Sequence, residues 1–316
     1  MTVRLGLLST ARINRSLLAA REDADGIEIV AVGSRDAARA SAYAEQWAVP
    51  RAHGSYEALL ADPDVDAVYV ALPNVLHHEW TMRALAAGKH VLCEKPYSRR
   101  PDDVEQAFHA AAREGLVLME GFMWRHSEQT AKLVELLPEL GPLQAIRATF
   151  SFRLEDTADV RLDPALGGGS LLDVGCYCVS GARLLAGAEP ERVYGESRLG
   201  PSGVDLQFAG TLRFRGDLVA TFACGFTAPH RSLEAIGAEG SLLVPSPWVD
   251  PTGELILDGE SLQVAVRSPN ARELESFAAA IRGEAAPLVG RADSLGQART
   301  LDALLRSAQT GRPISL

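Results

Sequence analysis

Short apolar runs alternate with segments of helical periodicity along the first third of the chain. The pattern predicts strands over residues 3–8, 27–33, 67–72, 90–93 and 116–119, and helices over residues 11–20, 37–46, 76–87 and 101–114. Strands that alternate with helices are typical of a parallel sheet with crossover helices. Right-handed crossovers give a doubly wound Rossmann sheet, whose ligand crevice lies at the carboxyl ends of its strands.

Beyond about residue 122 the apolar runs follow one another with short turns. They predict strands over residues 144–152, 192–198, 207–215, 218–224 and 232–238. Consecutive strands without helices between them favour a mainly antiparallel sheet. Helices are expected over residues 174–185, 271–281 and 292–308. The predicted fold class is therefore α/β, with an N-terminal Rossmann domain over residues 1–121 and a C-terminal α/β domain over residues 122–316.

Length and charge restrict the possible partners. The 316 residues are enough for two domains with separate cores. A formal net charge of −10 argues against a surface that binds nucleic acid or an anionic membrane. The longest apolar stretches are far shorter than the roughly 20 residues of a membrane span, and the first residues lack the pattern of a secretory signal. We therefore expect a cytoplasmic protein that neither spans nor binds a membrane.

The cysteines indicate no metal site. They are Cys93, Cys176, Cys178 and Cys224, and their spacing matches neither a zinc pattern nor a small disulfide framework. Cys176 and Cys178 are separated by one residue, and no second pair or nearby histidine completes a tetrahedral set. We expect four free thiols and no bound metal ion.

Lysine is rare in this chain, which has three lysines and 28 arginines. Lys95 follows a predicted strand in the tripeptide Glu94-Lys95-Pro96. An ammonium on a flexible stem can lose or share its proton when partly buried, whereas guanidinium stays charged. Lys95 is therefore a candidate catalytic group, and the alternative is a surface charge on a loop. The bond from Lys95 to Pro96 is of the kind that adopts the cis form in tight turns.

The first strand runs directly into a helix, where a dinucleotide-binding turn is expected. The glycine positions of the usual fingerprint are occupied by Ser9, Ala11 and Asn14. Small residues still allow backbone N–H groups to approach a pyrophosphate. The alternative is a plain turn with Ser or Thr as the helix N-cap. The candidate cofactor-binding residues of this turn are Ser9, Thr10, Ala11, Arg12 and Ile13.

The end of the second strand bears on the choice of cofactor. An acidic side chain at this position accepts a hydrogen bond from the ribose of NAD, whereas an arginine suits the 2′-phosphate of NADP. Here the strand ends in Ser34 and Arg35, with Arg39 one turn into the next helix. The pattern favours NADP over NAD. Asp36 is expected to be the N-cap of that helix, with a ribose contact as the alternative, and Arg39 is otherwise a solvated helix residue.

Two further strand ends point to the same crevice. Leu72-Pro73-Asn74 ends the strand before the helix that begins near His77, and Glu94 ends the next strand. Asn74 either hydrogen-bonds a cofactor or caps the helix. All five residues are candidates for the cofactor site, together with Lys95.

A glycine-rich stretch over residues 167–169 leads into the helix predicted in the second domain. Asp173 and Tyr177 follow it four residues apart, so on a helix they project from one face and can address one site. The glycines allow close approach of the backbone to a ligand or another segment. The alternative is that Asp173 caps the helix and Tyr177 is a half-buried aromatic residue.

In this order and spacing, these motifs resemble one family, the NAD(P)-dependent oxidoreductases named after glucose-fructose oxidoreductase and inositol 2-dehydrogenase (Gfo/Idh/MocA). The resemblance covers the whole chain. Tyr177 stands where the inositol dehydrogenase type has histidine, and this version looks like the branch of dimeric dihydrodiol dehydrogenases, NADP-dependent xylose dehydrogenases and nucleotide-sugar ketoreductases. It implies a C-terminal domain for substrate binding and dimerisation, with a large open sheet that forms a homodimer or homotetramer.

The chemistry implied by the resemblance is reversible hydride transfer between nicotinamide and a carbinol carbon of a sugar or cyclic polyol. Lys95 would stabilise charge on the reacting oxygen, Tyr177 would exchange the proton beside the Lys95 cation, and Asp173 would orient the substrate or the ammonium. The candidate substrate contacts are Trp124, Arg125 and Arg161. Either arginine has a structural ion pair as its alternative.

Two other classes of protein stay open. A dinucleotide-binding regulator on the same fold would bind cofactor without turnover, but it would need no proton-handling set such as Lys95, Asp173 and Tyr177. A nucleotide- or S-adenosylmethionine-dependent transferase on a related sheet has no use for the lysine and proline at the strand end.

Overall fold

The computed structural model describes residues 1–316, and the chain divides into two compact units. The first unit comprises Met1–His126 and Arg267–Ser294, and the second comprises Ser127–Val266 and Leu295–Leu316. Each unit is therefore built from two stretches of sequence. The sequence prediction instead placed a single boundary between residues 121 and 122, with no return of the chain to the first unit.

The first unit contains a six-stranded parallel sheet. Its strands are β1 (Val3–Leu8), β2 (Ile27–Gly33), β3 (Arg51–His53), β4 (Ala67–Val70), β5 (His90–Glu94) and β6 (Leu118–Gly121). Its helices are α1 (Asn14–Ala20), α2 (Ala37–Trp47), α3 (Tyr56–Leu60), α4 (His77–Ala86), α5 (Pro101–Arg113) and α8 (Pro269–Ile281). The strand order is β3-β2-β1-β4-β5-β6, which is the order of a dinucleotide-binding sheet. The predicted Rossmann fold is confirmed.

The burial of these strands explains why the apolar pattern of the sequence predicts them. Every residue of β4 is buried, as expected for a strand that is covered on both faces of a parallel sheet. The first helix begins at Asn14, three residues later than predicted, because the preceding residues form a turn. β3 has three residues and α3 has five, so neither is long enough to show a periodicity, and both were missed.

The second unit contains a nine-stranded sheet. Its strands are β7 (Leu143–Ser151), β8 (Arg192–Leu199), β9 (Asp205–Arg213), β10 (Val219–Gly225), β11 (His230–Gly237), β12 (Ser241–Val244), β13 (Glu254–Leu257), β14 (Glu260–Gln263) and β15 (Ile314–Ser315). Its helices are α6 (Glu128–Leu136), α7 (Cys176–Ala186) and most of α9 (Arg291–Thr310). The strand order is β14-β13-β12-β11-β7-β10-β9-β8-β15.

The prediction of a mainly antiparallel sheet is confirmed, with one parallel pair between β7 and β10. On β9, Phe208 and Leu212 are buried whereas Ala209 and Thr211 are exposed. The neighbouring strand β10 follows the same alternation, so one face of the central strands is covered and the other is exposed in the single chain. No helix of either unit is both long enough and apolar enough to cross a membrane.

Candidate active site

Side chains, not glycines, hold the turn between β1 and α1. The Ser9 hydroxyl donates to the carbonyl oxygen of Ala71 at 2.9 Å and accepts from the Ala11 N–H at 3.2 Å. The buried Asn14 amide donates to the Ser9 carbonyl at 2.8 Å. Ser9 has a φ of 153°, in a region that glycine adopts more readily. The turn thus keeps a glycine-like course without a glycine, and Arg12 and Ile13 stay exposed beyond β1.

The end of β2 presents two arginines that have no carboxylate partner. Arg35 and Arg39 are exposed and form no ion pair, and both lie close enough to Tyr56 to oppose the rise in its pKa that burial causes. The Asp36 carboxylate accepts from the backbone N–H of Arg39 at 2.7 Å and is the N-cap of α2, as predicted. Asp36 is therefore occupied by the helix, and the local charge at this strand end is positive.

His77 joins the ends of β4 and β5. Its ring is buried, with Nδ1 at 3.0 Å from the Pro96 carbonyl oxygen and Nε2 at 2.8 Å from the Leu72 carbonyl oxygen. Burial lowers the pKa of His77, against the effect of the two carbonyls. The ring thus connects two backbone segments that were both predicted to face the cofactor. In this position His77 shapes the crevice edge with both of its nitrogen atoms already in contact with protein.

Lys95 begins the loop after β5 and is half-buried. The bond between Lys95 and Pro96 is cis. The preceding Glu94 accepts a hydrogen bond from the Tyr69 hydroxyl and one from the Lys95 backbone N–H at 3.2 Å. On the other side of the loop, the buried Glu120 carboxylate accepts from the Tyr97 N–H at 2.8 Å. Two carboxylates therefore hold the backbone from which the Lys95 side chain extends.

In the second unit, Asp173 lies in a π-helical turn, Leu171–Gly175, that continues directly into α7. Such turns are uncommon in proteins, and those that occur are often found at functional sites. The prediction of a regular helix from residue 174 did not include this turn. The Asp173 carboxylate accepts from Nε of Arg161 at 2.7 Å, and Arg161 also pairs with Asp159 at 3.2 Å. For Arg161 the structure thus shows the ion pair that the sequence analysis gave as the alternative to a substrate contact.

Tyr177 lies in the first turn of α7 and is 6% exposed. Its ring packs edge-on against Phe150, with centroids 5.3 Å apart, and lies 6.1 Å from the ring of Trp248. The Trp248 indole N–H donates to the Thr149 carbonyl at 2.7 Å, which fixes that ring on β7. Tyr177 is therefore a largely buried aromatic residue held by two other rings on the same unit.

The remaining candidates also have structural partners. Nη1 of Arg125 is 2.7 Å from Oδ2 of Asp293, and the Arg125 side chain is 11% exposed. Trp124 is 1% exposed, and the guanidinium carbon of Arg125 lies 5.8 Å from its ring centroid. Sequence reasoning paired neither arginine with its acidic partners, which are Asp293 for Arg125 and Asp159 and Asp173 for Arg161. The signal for Asp159 was its spacing of two residues from Arg161, whereas Asp293 is 168 residues from Arg125 and left no local signal.

The two units differ in the chemistry that they offer. The first presents exposed backbone after β1, unpaired positive charge after β2 and Lys95 after β5, which suits an anionic dinucleotide. The second presents a carboxylate and a phenol on one helical segment. No group of three or more His, Cys, Asp and Glu side chains is placed to hold a metal ion. The four cysteines are buried, and none forms a disulfide bond.

Comparison with known proteins gives matches in both units. A family model described as "Oxidoreductase family, NAD-binding Rossmann fold" matches residues 4–122, and the "GFO/IDH/MocA C-terminal domain" matches residues 132–243. D-xylose 1-dehydrogenase (NADP(+)) 2 of Haloferax volcanii is 40% identical over 98% of this chain and 99% of its own. Trans-1,2-dihydrobenzene-1,2-diol dehydrogenase of Danio rerio is 32% identical over 85% of this chain and 82% of its own.

A solved structure agrees with these matches. KijD10, a 3-ketoreductase from Actinomadura kijaniata in complex with NADP and TDP-benzene, is 33% identical and superposes with a TM-score of 0.91 over 97% of this chain and 98% of its own. Fold, domain matches and identity along nearly the whole length agree. The chain therefore belongs to the Gfo/Idh/MocA family of oxidoreductases.

Proposed function

We propose that the protein is an NADP-dependent oxidoreductase that transfers a hydride between nicotinamide and a carbinol or carbonyl carbon of a sugar, nucleotide-sugar or cyclic polyol. The observation that carries this proposal is the carboxyl edge of the first sheet, where the β1 turn, the two arginines after β2 and Lys95 follow three different strands. Relatives named as an NADP-dependent xylose dehydrogenase and as a 3-ketoreductase in complex with NADP support the same reaction class.

The preference for NADP over NAD rests on charge. Arg35 and Arg39 have no carboxylate partner, so both are available to a 2′-phosphate. Asp36, the acidic side chain nearest this strand end, already accepts the N-cap bond of α2 at 2.7 Å. Backbone N–H groups of Thr10, Arg12 and Ile13 would face the pyrophosphate, and the Ala11 N–H donates to Ser9, which holds their turn. Leu72, Pro73 and Asn74 would line the cofactor, and His77 and Glu94 would hold the two loops that do so.

The bound cofactor supplies the hydride, so the protein has to position the carbon and handle one proton. In our proposal, Lys95 donates a hydrogen bond to the reacting oxygen and stabilises the charge that develops there. Tyr177 exchanges the proton as acid or base. Asp173 orients the substrate hydroxyl, and its bond to Arg161 holds the carboxylate in place. Arg125 and Trp124 would support the site through their structural contacts.

Lys95→Arg tests the proposal, with Lys132→Arg as the matched control. Arginine keeps the charge but replaces a compact ammonium with a planar fork. We expect Lys95→Arg to lose at least about 100-fold in turnover, the size of loss seen when an oxyanion donor is removed, and to bind NADP nearly as tightly as wild type. Lys132 pairs with Glu135 on the surface, so its variant should keep full activity.

Turnover is measured by NADPH fluorescence with a panel of aldoses and ketoses in both directions. If Lys95→Arg keeps most of the wild-type rate, Lys95 is not catalytic. If wild type binds NADP but turns over no substrate in either direction, the result supports the alternative of a non-catalytic dinucleotide-binding regulator. A substrate found in the panel identifies the sugar class directly.

We also propose that the exposed face of the nine-stranded sheet forms a homodimer or homotetramer. Small side chains such as Ala209 and Ala223 pair across β9 and β10 on this face, which leaves it flat enough for a second sheet. Sedimentation velocity at micromolar concentration tests this, and a monomer contradicts it. We propose a cytoplasmic location, because none of the four cysteines forms a disulfide bond, and cell fractionation tests it.

A further inference from the structure

Asp205, the first residue of β9, makes a buried contact with the segment that carries Asp173 and Tyr177. Its Oδ2 atom accepts from the Ser170 hydroxyl at 2.7 Å and from the Leu171 backbone N–H at 2.7 Å. Asp205 is 7% exposed and Ser170 is fully buried. One carboxylate oxygen therefore receives both hydrogen bonds at the start of the π-helical turn.

The contact supplies something that this turn lacks. The first N–H groups of a helical segment have no partner within the segment, and Leu171 begins the π-helical turn. A carboxylate at that end also interacts favourably with the aligned backbone dipoles. Burial raises the pKa of Asp205, and the hydrogen bonds from Ser170 and Leu171 oppose that rise. Without the carboxylate, two buried donors would lose their acceptor.

The backbone before the turn is shaped to admit Asp205. Gly169 has a φ of 120°, a conformation that residues with a side chain rarely adopt, and a Cβ atom there would overlap Oδ1 of Asp205. The Gly169 carbonyl accepts from the N–H of Asp173 at 3.1 Å. Asp205 thus lies against the residue whose backbone hydrogen-bonds to Asp173.

Cys224 of β10 contacts both ends of the turn. A Cβ atom on Gly175 would lie 2.7 Å from its Sγ, and the thiol donates to the Ser170 carbonyl at 3.6 Å. β9 and β10 are paired, with Cys224 opposite Phe208. The turn over residues 171–175 is therefore held between two neighbouring strands, by a hydrogen-bonded carboxylate from one and by close packing from the other.

We propose that Asp205 is a positioning residue for proton transfer: it fixes the turn that sets the place of the Asp173 carboxylate and the Tyr177 hydroxyl. It acts through Ser170 and Leu171 and touches neither cofactor nor substrate. The inference rests on the proposed function, because it assigns Tyr177 the proton-handling role. A misplacement of about 1 Å in a reacting group costs on the order of 100-fold in rate, so the expected loss appears in kcat.

Three variants and one matched control test the proposal. Asp205→Ala removes the acceptor, Asp205→Asn keeps one oxygen as an acceptor, and Ser170→Ala removes one of the two donors. The control is Asp217→Asn, because Asp217 lies in the turn between β9 and β10, is 85% exposed and has a φ of 67° that asparagine tolerates. Each is measured for kcat, KM, NADP affinity and the pH profile of kcat, and for amide hydrogen exchange over residues 171–175.

We expect Asp205→Ala to lower kcat by about 10- to 100-fold, with KM and NADP affinity within about threefold of wild type, and to change the shape of the pH profile of kcat. Asp205→Asn and Ser170→Ala should lower kcat by less, and Asp217→Asn should leave kcat unchanged. Amide exchange at Leu171 and Asp173 should rise in the Asp205 variants alone. If Asp205→Ala does not fold, the graded losses in Asp205→Asn and Ser170→Ala decide the matter.

A role in stability alone predicts a different result. It would lower the folded fraction and scale the rate equally at every pH, and that outcome overturns the proposal, as does an unchanged kcat in Asp205→Asn and Ser170→Ala. If wild type turns over no substrate, the proposed function fails by itself. The exchange measurement then still tests whether Asp205 holds the turn, since it needs no substrate: unchanged exchange overturns that claim, and faster exchange over residues 171–175 supports it.

Discussion

Gly175 lies where the turn between Asp173 and Tyr177 meets β10, and adding one methyl group there gives a worked test of the packing. A Cβ atom at residue 175 would lie 2.7 Å from Sγ of Cys224 and 2.9 Å from Cδ1 of Leu171. Ordinary contacts between such atoms are about 1 Å longer. Overpacking of this kind costs about 1–3 kcal/mol, and alanine regains about 1 kcal/mol in helix propensity. Gly175→Ala should therefore lower the free energy of unfolding by up to about 2 kcal/mol.

In a Cys224→Ala background, Gly175→Ala should no longer destabilise the protein. Removing the buried Sγ costs about 1 kcal/mol alone, the usual size for the loss of one buried heavy atom. In this background the methyl group of Ala at 175 occupies the vacated space, so the second substitution should be neutral or stabilise by up to about 1 kcal/mol. The double-mutant cycle then gives a coupling energy of about 1–3 kcal/mol in favour of the double variant.

The assay is equilibrium unfolding in urea, followed by circular dichroism and by tryptophan fluorescence. Two probes are needed because a chain of two units need not unfold in one step. Trp248 is the one tryptophan of the second unit and lies beside Tyr177, so its emission reports on this region. If Gly175→Ala costs the same in both backgrounds to within about 0.5 kcal/mol, the contact with Cys224 does not limit the space at Gly175.

Two further predictions concern charge in the first unit. Arg35→Ala should raise the NADP dissociation constant at least tenfold and leave that of NAD within about twofold, by fluorescence titration; equal effects remove Arg35 from the phosphate site. Burial, with Arg125 and Arg272 nearby, lowers the pKa of His126 from 6.5 to about 3. The contribution of neutral His126 to the stability of the folded state is therefore fully present above pH 6.5 and is lost as the pH falls toward 3. Between pH 6.5 and 5, the free energy of unfolding measured in urea should therefore fall more steeply for wild type than for His126→Gln, by up to about 1.4 kcal/mol per pH unit. Equal slopes for the two proteins refute this.

The sequence predicted the elements whose burial produces a repeating pattern. β2 matches its predicted bounds over residues 27–33, because it is a largely buried apolar run, interrupted only by the exposed Glu28, with a turn at each end. β3, β12, β13 and β14 were missed because each has only three or four residues. The π-helical turn over residues 171–175 is likewise too short to show a periodicity of its own.

Side-chain partners depend on contacts that sequence patterns do not contain. Arg125 meets Asp293 across 168 residues, and Ser170 meets Asp205 across 35. An ion pair was the alternative role for both candidate arginines, and the structure shows one for Arg125 and two for Arg161. Asp205 itself was not a candidate, because an acidic residue at the start of a strand has no local signature. Its role follows only from the buried donors that it meets.

Lysine is rare in this chain, but its rarity alone does not mark a residue as catalytic. Lys89 is another of the three lysines, and it has a structural role. It is buried, and its ammonium donates to the carbonyl oxygens of Asp62 at 2.8 Å and Val65 at 2.7 Å. A compact ammonium suits two close acceptors that a planar guanidinium would not, so the same chemistry preserves lysine for a structural reason. The two lysines flank one strand, since β5 runs from His90 to Glu94. Ligands bind at the carboxyl ends of such strands, and only Lys95 lies there. Position on the strand, more than rarity, is what makes Lys95 the catalytic candidate.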